Sequence, residues 1–143
     1  MSTGGNKDTV TRGWYQELWD KWRVDTADQL LTADYRFHLP GVPIALDRGA
    51  TKQVILMFKG SFPDLSHTVN EIVAEGDTVA VRWSVQGTHR GEFQGIPATG
   101  NVVNLSGLTV HHLRDGQIAE TWLSFDSMEL LQKLGAIPAA AKM

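Results

Sequence analysis

The stretch HTVNEIVAEGDTVAVRWSVQGTH, residues 67–89, decides the fold class. It consists of two runs rich in Val, Ile, Thr and Trp, which are separated by Glu75-Gly76-Asp77. β-Branched and aromatic residues favour strands, and a short polar turn that contains glycine favours a hairpin. The stretch therefore predicts two long antiparallel strands.

A second stretch, NVVNLSGLTVHHLRDGQIAETWLSF at residues 101–125, has the same pattern. Its turn, from Leu113 to Gly116, suits a type I turn with Gly116 at a left-handed bulge position. A shorter alternating run, DYRFHLPG at residues 34–41, ends in Pro-Gly and predicts one more strand followed by a turn.

Helices are predicted before and after these strands. Apolar residues from Val10 to Trp22 repeat every four positions, which is the spacing of one face of a helix. Further helices are predicted at residues 26–33, 48–62 and 127–135. Because successive strands joined by hairpins form an antiparallel sheet, this order predicts an α+β fold. We expect a curved, mostly antiparallel sheet that packs on three to four helices and forms a cone around one pocket.

Length and composition limit the class of protein. The 143 residues correspond to one domain, with residues 1–8 expected as a flexible leader, 9–138 as the cone domain and 139–143 as a tail. The formal net charge is −3 without a basic cluster, so nucleic acid is not an expected partner. No apolar run is long enough to span a membrane and the N-terminus is polar, so a cytoplasmic location without membrane contact is expected.

Composition also limits the chemistry. The chain has no cysteine, which excludes disulfides, zinc–thiolate sites and cysteine nucleophiles. Its five histidines lack the spacing of a metal site, so no metal ligands are expected. The glycine-rich stretch GTHRGEFQGIPATG, residues 87–100, does not join a strand to a helix, so it is not a phosphate loop. We expect it to be a structural loop first, forming a wall at the pocket mouth, and a substrate contact through the nearby His89 second.

Five short motifs resemble the SnoaL-like polyketide cyclase family, also labelled ester cyclases, whose members have the nuclear-transport-factor-2-like cone fold. The motifs are FPDL at 62–65, EIVAEGDTVAVRW at 71–83, GTHRGEFQGIPATG at 87–100, RDGQIAETW at 114–122 and, at 126–135, Asp126 followed by LLQKLG. The resemblance extends from about Trp14 to Gly135. It implies a homodimer paired through the outer sheet face, and an enzyme that closes a ring by an intramolecular aldol reaction without cofactor or metal.

The resemblance also implies which positions carry the chemistry. In the family a carboxylate acts as acid and base, and a histidine assists it. When the second hairpin is aligned on Asp115, the catalytic aspartate of the family falls at Leu123 and the assisting histidine at Thr109. A second family aspartate matches Asp126. Its first expected role is to cap the last helix, and a role as base would compete for the same oxygens.

Candidate site residues follow from the strand pattern and from the resemblance. His38 stands near the end of the first strand, where the resemblance implies a polar residue facing the cavity. Of the adjacent His111 and His112 only one can face the cavity, and His111 shares a face with Thr109 in the predicted register, although one bulge would reverse this. The predicted catalytic residues are Asp126, His38 and His111. The predicted substrate-binding residues are His89, Trp83, Phe93, Thr109, Thr121, Trp122 and Leu123.

The sequence thus leads to one expected function and two alternatives. The expected function is a cofactor-independent cyclase of secondary metabolism that acts on a small, apolar, polyketide-like substrate by acid/base help and conformational positioning. Leu123 and Thr109 favour the first alternative, a non-catalytic binding domain. The second alternative is an epoxide or ketone hydrolase or isomerase, for which Asp126, Asp34 or Asp64 would have to supply a carboxylate.

Overall fold

The computed structural model describes residues 3–136. Helix α1 at Thr3–Asp8 continues into a π-helix at Thr9–Asp20. The other helical segments are a 3₁₀ turn at Val24–Thr26, α2 at Ala27–Leu30, α3 at Arg48–Ser61 and α4 at Ser127–Lys133. The strands are β1 at Leu31–His38, β2 at Ser66–Glu75, β3 at Thr78–Thr88, β4 at Val102–Arg114 and β5 at Gln117–Phe125.

The five strands form one curved sheet in the order β1-β5-β4-β3-β2. Neighbouring strands from β2 to β5 pair antiparallel, whereas β1 runs parallel to β5. Both predicted hairpins are present, because β2 and β3, and β4 and β5, are joined by two-residue turns. The prediction of an α+β cone with a mostly antiparallel sheet is confirmed.

The helices pack on the inner face of this sheet. Val10, Trp14 and Leu18 of the predicted stripe are at most 2% exposed and share one apolar core with strand residues such as Phe37. Asp47 precedes helix α3, and its carboxylate caps the helix by accepting a hydrogen bond from the Ala50 N–H at 2.8 Å. No helix within residues 3–136 is long and apolar enough to cross a membrane.

The amino-terminal segment differs from the sequence expectation. Residues 3–8, expected as part of a flexible leader, form α1, and the Asn6 side chain is fully buried. Its amide donates hydrogen bonds to the Gly76 carbonyl and the Asp77 carboxylate, which form the β2–β3 turn. Helical structure therefore begins before Thr9, and one polar residue ties it to the sheet. The expected tail lies outside the described residues.

The β4–β5 turn also differs from the expectation. Asp115 has φ 51° and Gly116 has φ 82°, so both central residues are left-handed, as in a type I′ rather than a type I turn. The irregularity in pairing lies on the strand instead, between His112 and Leu113. A type I′ turn matches the twist of the two strands, which accounts for the two-residue loop.

Within residues 3–136, no helix covers the outer face of the sheet. It carries exposed apolar side chains, among them Val73 on β2, Leu108 on β4 and Trp122 on β5. Apolar side chains on an exposed sheet face are a feature of surfaces that associate. Pairing of two copies through this face stays a prediction.

Candidate active site

An apolar cavity lies between the inner face of the sheet and the helices. Its volume is about 70 Å³, and its mouth is open to solvent. The lining is mostly apolar and rich in aromatic side chains, which suits an apolar ligand. The lining residues are Trp14, Tyr15, Trp19, Phe37, Phe58, Phe62, Leu65, His67, Trp83, Val85, Gly87, Val103, Leu105, Thr109, Leu123, Phe125 and Leu130.

A histidine–aspartate pair stands in this aromatic wall. His67, the second residue of β2, places its ring Nδ1 2.7 Å from Oδ1 of Asp20, the last residue of the π-helix. The backbone N–H of His67 also donates to both carboxylate oxygens, at 3.0 and 3.1 Å. The side chains of His67 and Asp20 are only 9% and 20% exposed. The pair is thus held by three hydrogen bonds at the edge of the cavity.

Aromatic rings surround the imidazole of His67. Its ring centroid lies 5.4 Å from that of Tyr15, 5.8 Å from that of Trp19 and 5.6 Å from that of Trp83. The indole N–H of Trp83 is buried and makes no hydrogen bond within the described chain. A buried donor without a partner costs free energy, so a ligand oxygen that accepts from it would be stabilised.

A chain of hydroxyl groups and one imidazole leads from the cavity wall into the core. The Tyr15 hydroxyl is 2.5 Å from Thr109 Oγ1, which is 3.0 Å from His111 Nε2, and His111 Nδ1 is 2.9 Å from Thr121 Oγ1. Burial raises the pKa of Tyr15, so its phenol stays neutral. Burial also lowers the pKa of His111 to about 3, so its imidazole stays neutral as well. The chain orients the Tyr15 hydroxyl without carrying charge.

The burial of His111 predicts a dependence of stability on pH. The unfolded chain binds a proton at His111 below a pH of about 6.5, whereas the folded chain does not until about pH 3. The free energy of unfolding therefore loses up to about 1.4 kcal/mol per pH unit as the pH falls through this window. We expect His111→Asn to flatten this part of the curve, although it lowers stability at neutral pH. Urea unfolding of both proteins across the window checks this, and parallel curves would contradict it.

The structure places the predicted site residues in different parts of the molecule. Trp83, Thr109 and Leu123 line the cavity. His111 and Thr121 lie on the same inner face but behind the lining, where both are fully buried. The expected inner-face set of β4 and β5 is therefore found, because Thr109 pairs with Leu123 and His111 pairs with Thr121.

His38 and Trp122 lie on the outer face of the sheet. The His38 ring stacks on Trp122 with centroids 5.0 Å apart, and its Nε2 is 2.6 Å from the Glu120 carboxylate. His112 contacts the same indole from the other side, with centroids 4.7 Å apart. Phe37 faces the cavity, so its neighbour His38 points away from it.

The carboxylates considered for catalysis are engaged elsewhere. Asp126 is exposed and caps α4 by accepting a hydrogen bond from the Glu129 N–H at 3.0 Å. Asp34 pairs with Arg114, which holds the pKa of that carboxyl near 2, and Asp64 accepts two hydrogen bonds from Thr88 that lower its pKa. No Asp or Glu of residues 3–136 lines the cavity. Within the same residues no three His, Asp or Glu side chains converge to hold a metal ion.

The loop at residues 87–100 packs against the end of α3 rather than opening into the cavity. His89 is fully buried, and its Nδ1 accepts a hydrogen bond from the Thr99 N–H at 3.2 Å. Gly91 lies directly against the Gly60 carbonyl, where a Cβ would not fit. Phe93 is buried in a second apolar cluster beneath the loop. His89 therefore anchors the loop, and Gly87 is its residue on the cavity wall.

Sequence reasoning did not identify His67 and Asp20. Asp20 carries one signal of a special role. An aspartate at the carboxyl end of a helix faces the negative end of the helix dipole, which is unfavourable. A residue that breaks such a local rule often has a role in a site. His67, by contrast, reads as an ordinary alternating position of a strand.

The chain is similar to several solved structures. AclR, a proposed hydroxylase from Streptomyces galilaeus, is 26% identical with a TM-score of 0.86, and the match covers 99% of this chain and 87% of AclR. IdmH, a proposed polyketide cyclase from Streptomyces antibioticus, is 34% identical with a TM-score of 0.81, over 91% of this chain and 98% of IdmH. A proposed SnoaL-like polyketide cyclase from Jannaschia sp. CCS1 is 26% identical with a TM-score of 0.85, over 95% of each chain. No curated protein matches the chain significantly.

The match to a protein family is equally broad. The profile of the family described as SnoaL-like polyketide cyclase matches residues 9–134. This range contains both hairpins and every residue that lines the cavity. The chain belongs to the SnoaL-like polyketide cyclase family and has its nuclear-transport-factor-2-like cone fold.

Proposed function

We propose that the cavity binds a flat, neutral, polyketide-like substrate and promotes its ring closure without a cofactor, as a step of secondary metabolism. The observation that carries this proposal is the wall of aromatic rings, which includes Trp14, Trp19 and Trp83. Aromatic faces stack on flat conjugated molecules and exclude water from them. Membership of the family and the likeness to IdmH support the same class of substrate.

Ring closure needs a flexible chain to be held in one reactive conformation. A cavity with aromatic walls supplies this by positioning the chain, which lowers the activation free energy of a reaction between two ends of one molecule by several kcal/mol. Ring closure also requires that a proton is removed from a carbon atom and that one is added to an oxygen atom. Tyr15 and His67 are polar groups on the wall that can take part in such a transfer.

The test compares a variant whose cavity is filled with a variant that has the same substitution on the protein surface. Linear and partly cyclised polyketide methyl esters would be incubated with the protein, and products with unchanged mass or the mass of one water less would be separated by chromatography. We expect Leu123→Trp, which fills the cavity, to weaken ligand binding at least about 10-fold, a difference of about 1.4 kcal/mol. Leu56→Trp, a change on the exposed face of α3, should leave binding and products as in wild type.

The alternatives give different results in the same experiment. Tight binding that Leu123→Trp abolishes, with no product from any ester, would contradict ring closure and indicate a binding domain. Turnover of epoxides or isolated ketones would indicate the hydrolase or isomerase alternative. That alternative has less support, since the cavity wall within residues 3–136 contains no carboxylate.

A further inference from the structure

We propose that His67 is a general base that removes a proton from carbon in this cavity, and that Asp20 positions it. The proposal deepens the ring closure proposed above and rests on it for the class of substrate. That class is a carbon acid, a flat compound with a C–H bond activated by a neighbouring carbonyl group.

The hydrogen bonds to Asp20 fix the form of the imidazole. An ionised carboxylate only accepts hydrogen bonds, so Nδ1 of His67, at 2.7 Å from Oδ1, carries the proton. The neutral ring then holds its lone pair on Nε2, on the side away from Asp20. Nε2 makes no hydrogen bond within the described chain, and the ring lines the cavity. This is the state in which a histidine accepts a proton.

No other group on the described wall can serve as this base. Of the five histidines, all within residues 3–136, only His67 lines the cavity. His111, the predicted one, has both ring nitrogens in hydrogen bonds to threonine hydroxyls. Tyr15 lines the cavity, but burial raises the pKa of its phenol and keeps it protonated.

The proton transfer and the ring closure take place within one substrate molecule, and the proton is returned at the end. Nε2 of His67 takes a proton from the carbon beside a carbonyl, and the electrons of the broken C–H bond form an enolate. The enolate carbon then bonds to a second carbonyl carbon of the same molecule, whose oxygen becomes an alkoxide. The alkoxide takes the proton back from Nε2, which restores the neutral imidazole. The buried N–H of Trp83 can donate to an oxygen that gains negative charge in this sequence.

The location of Asp20 supports a positioning role. A carboxylate at the end of a helix opposes the helix dipole, and here it is retained with three hydrogen bonds to one residue of β2. Two of those bonds come from the backbone of His67, so the carboxylate is fixed before a substrate enters. A carboxylate fixed in this way holds the imidazole in one tautomer and stabilises its protonated form.

The test uses a probe that reports only on a base in an apolar site. 5-Nitrobenzisoxazole loses its C3 proton to a base, its N–O bond breaks, and the electrons end on a coloured cyanonitrophenolate. We expect the wild-type protein to convert the probe faster than free imidazole at equal concentration. His67→Gln, which can still donate to Asp20 but is not a base, should lower the rate about 100-fold. His112→Gln, the matched change on the outer face, should leave it unchanged.

The role of Asp20 is tested by the tautomer of the His67 ring, because a loss of packing alone would not change it. In Asp20→Asn the amide can donate to Nδ1, so the proton moves to Nε2, and the rate should fall at least about 10-fold. The ¹⁵N spectrum of the ring should then show Nε2 protonated, whereas wild type shows Nδ1 protonated. Asp20→Glu should restore the wild-type tautomer and part of the rate.

The outcomes separate this proposal from the proposed function. If the wild-type protein converts the probe no faster than free imidazole, the proposal that His67 is a base is wrong. The proposal is also wrong if the rate of His67→Gln lies within about 2-fold of wild type. Ring closure that persists unchanged in folded His67→Gln also overturns the base and leaves the cyclase standing. Conversion of the probe that depends on His67, without ring closure of any polyketide ester, supports the base and contradicts the cyclase.

Discussion

Replacement of Trp14 by alanine is expected to lower the free energy of unfolding by about 3 to 5 kcal/mol, the usual cost of deleting a large buried aromatic side chain. Trp14 is 2% exposed. Its ring lies edge-on to Phe37 and to His111, with centroids 5.3 Å away in each case, and 6.1 Å from Trp19. Its removal leaves a void at the point where the π-helix, β1 and β4 meet.

Urea unfolding measures this loss, and a matched variant isolates burial as its cause. Trp122→Ala makes the same substitution on the outer face, where the indole is 36% exposed. We expect it to cost much less than Trp14→Ala, because only part of the indole is removed from water there. Equal losses in the two variants would contradict the assignment of Trp14 to the core. Trp14→Phe should recover most of the stability, because it keeps an aromatic ring in the same space.

The fold was predictable from sequence because its signals are local. Each hairpin is encoded by two adjacent β-rich runs and a turn that contains glycine, and the first helix by a regular apolar spacing. The parallel pairing of β1 with β5 joins residues about 85 positions apart, and no local signal specifies it. Helix α1 was missed for a similar reason, since its one buried residue, Asn6, is polar and finds its partners at the distant β2–β3 turn.

The candidate site was predictable only as far as strand alternation applies. The pairing of Thr109 with Leu123 followed from the hairpin and places both residues on the cavity wall. The same alternation points Trp122 outward. His38 was placed toward the cavity from the resemblance, but its neighbour Phe37 occupies the inward position. Strand alternation thus predicts which residues of β4 and β5 face the cavity, but it does not predict which polar residues form the site.

The pair of His67 and Asp20 shows why a site of this kind is invisible in a single sequence. Its members are 47 positions apart, on a strand and on the end of a helix, and neither belongs to a motif. Their approach depends on where the π-helix ends, and it ends just before Trp22, whose φ of 56° turns the chain. Tertiary packing, not local propensity, therefore brings the imidazole and the carboxylate together.

Replacement of Gly107 by alanine should also be costly, by about 3 kcal/mol, because β4 has no room for a methyl group at this position. A Cβ there would lie 2.5 Å from Cζ2 and 2.9 Å from Cη2 of Trp83, and it would overlap the backbone carbonyl of Ser124. The backbone of β5 cannot move away without breaking its pairing with β4. Trp83 would be displaced instead, and with it part of the wall that faces His67.

Two measurements distinguish this crowding from a general effect of replacing glycine. Gly60→Ala adds the same methyl group in α3, where no atom lies within 4 Å, and it should be neutral or stabilising by up to about 1 kcal/mol. Gly107→Ala should lower the urea midpoint, change the near-ultraviolet circular dichroism of the tryptophans and weaken binding of flat ligands. Unchanged tryptophan signals would contradict the position of Trp83 against β4. Because the same indole contacts the imidazole of His67, that result would also weaken the geometry on which the proposed proton transfer depends.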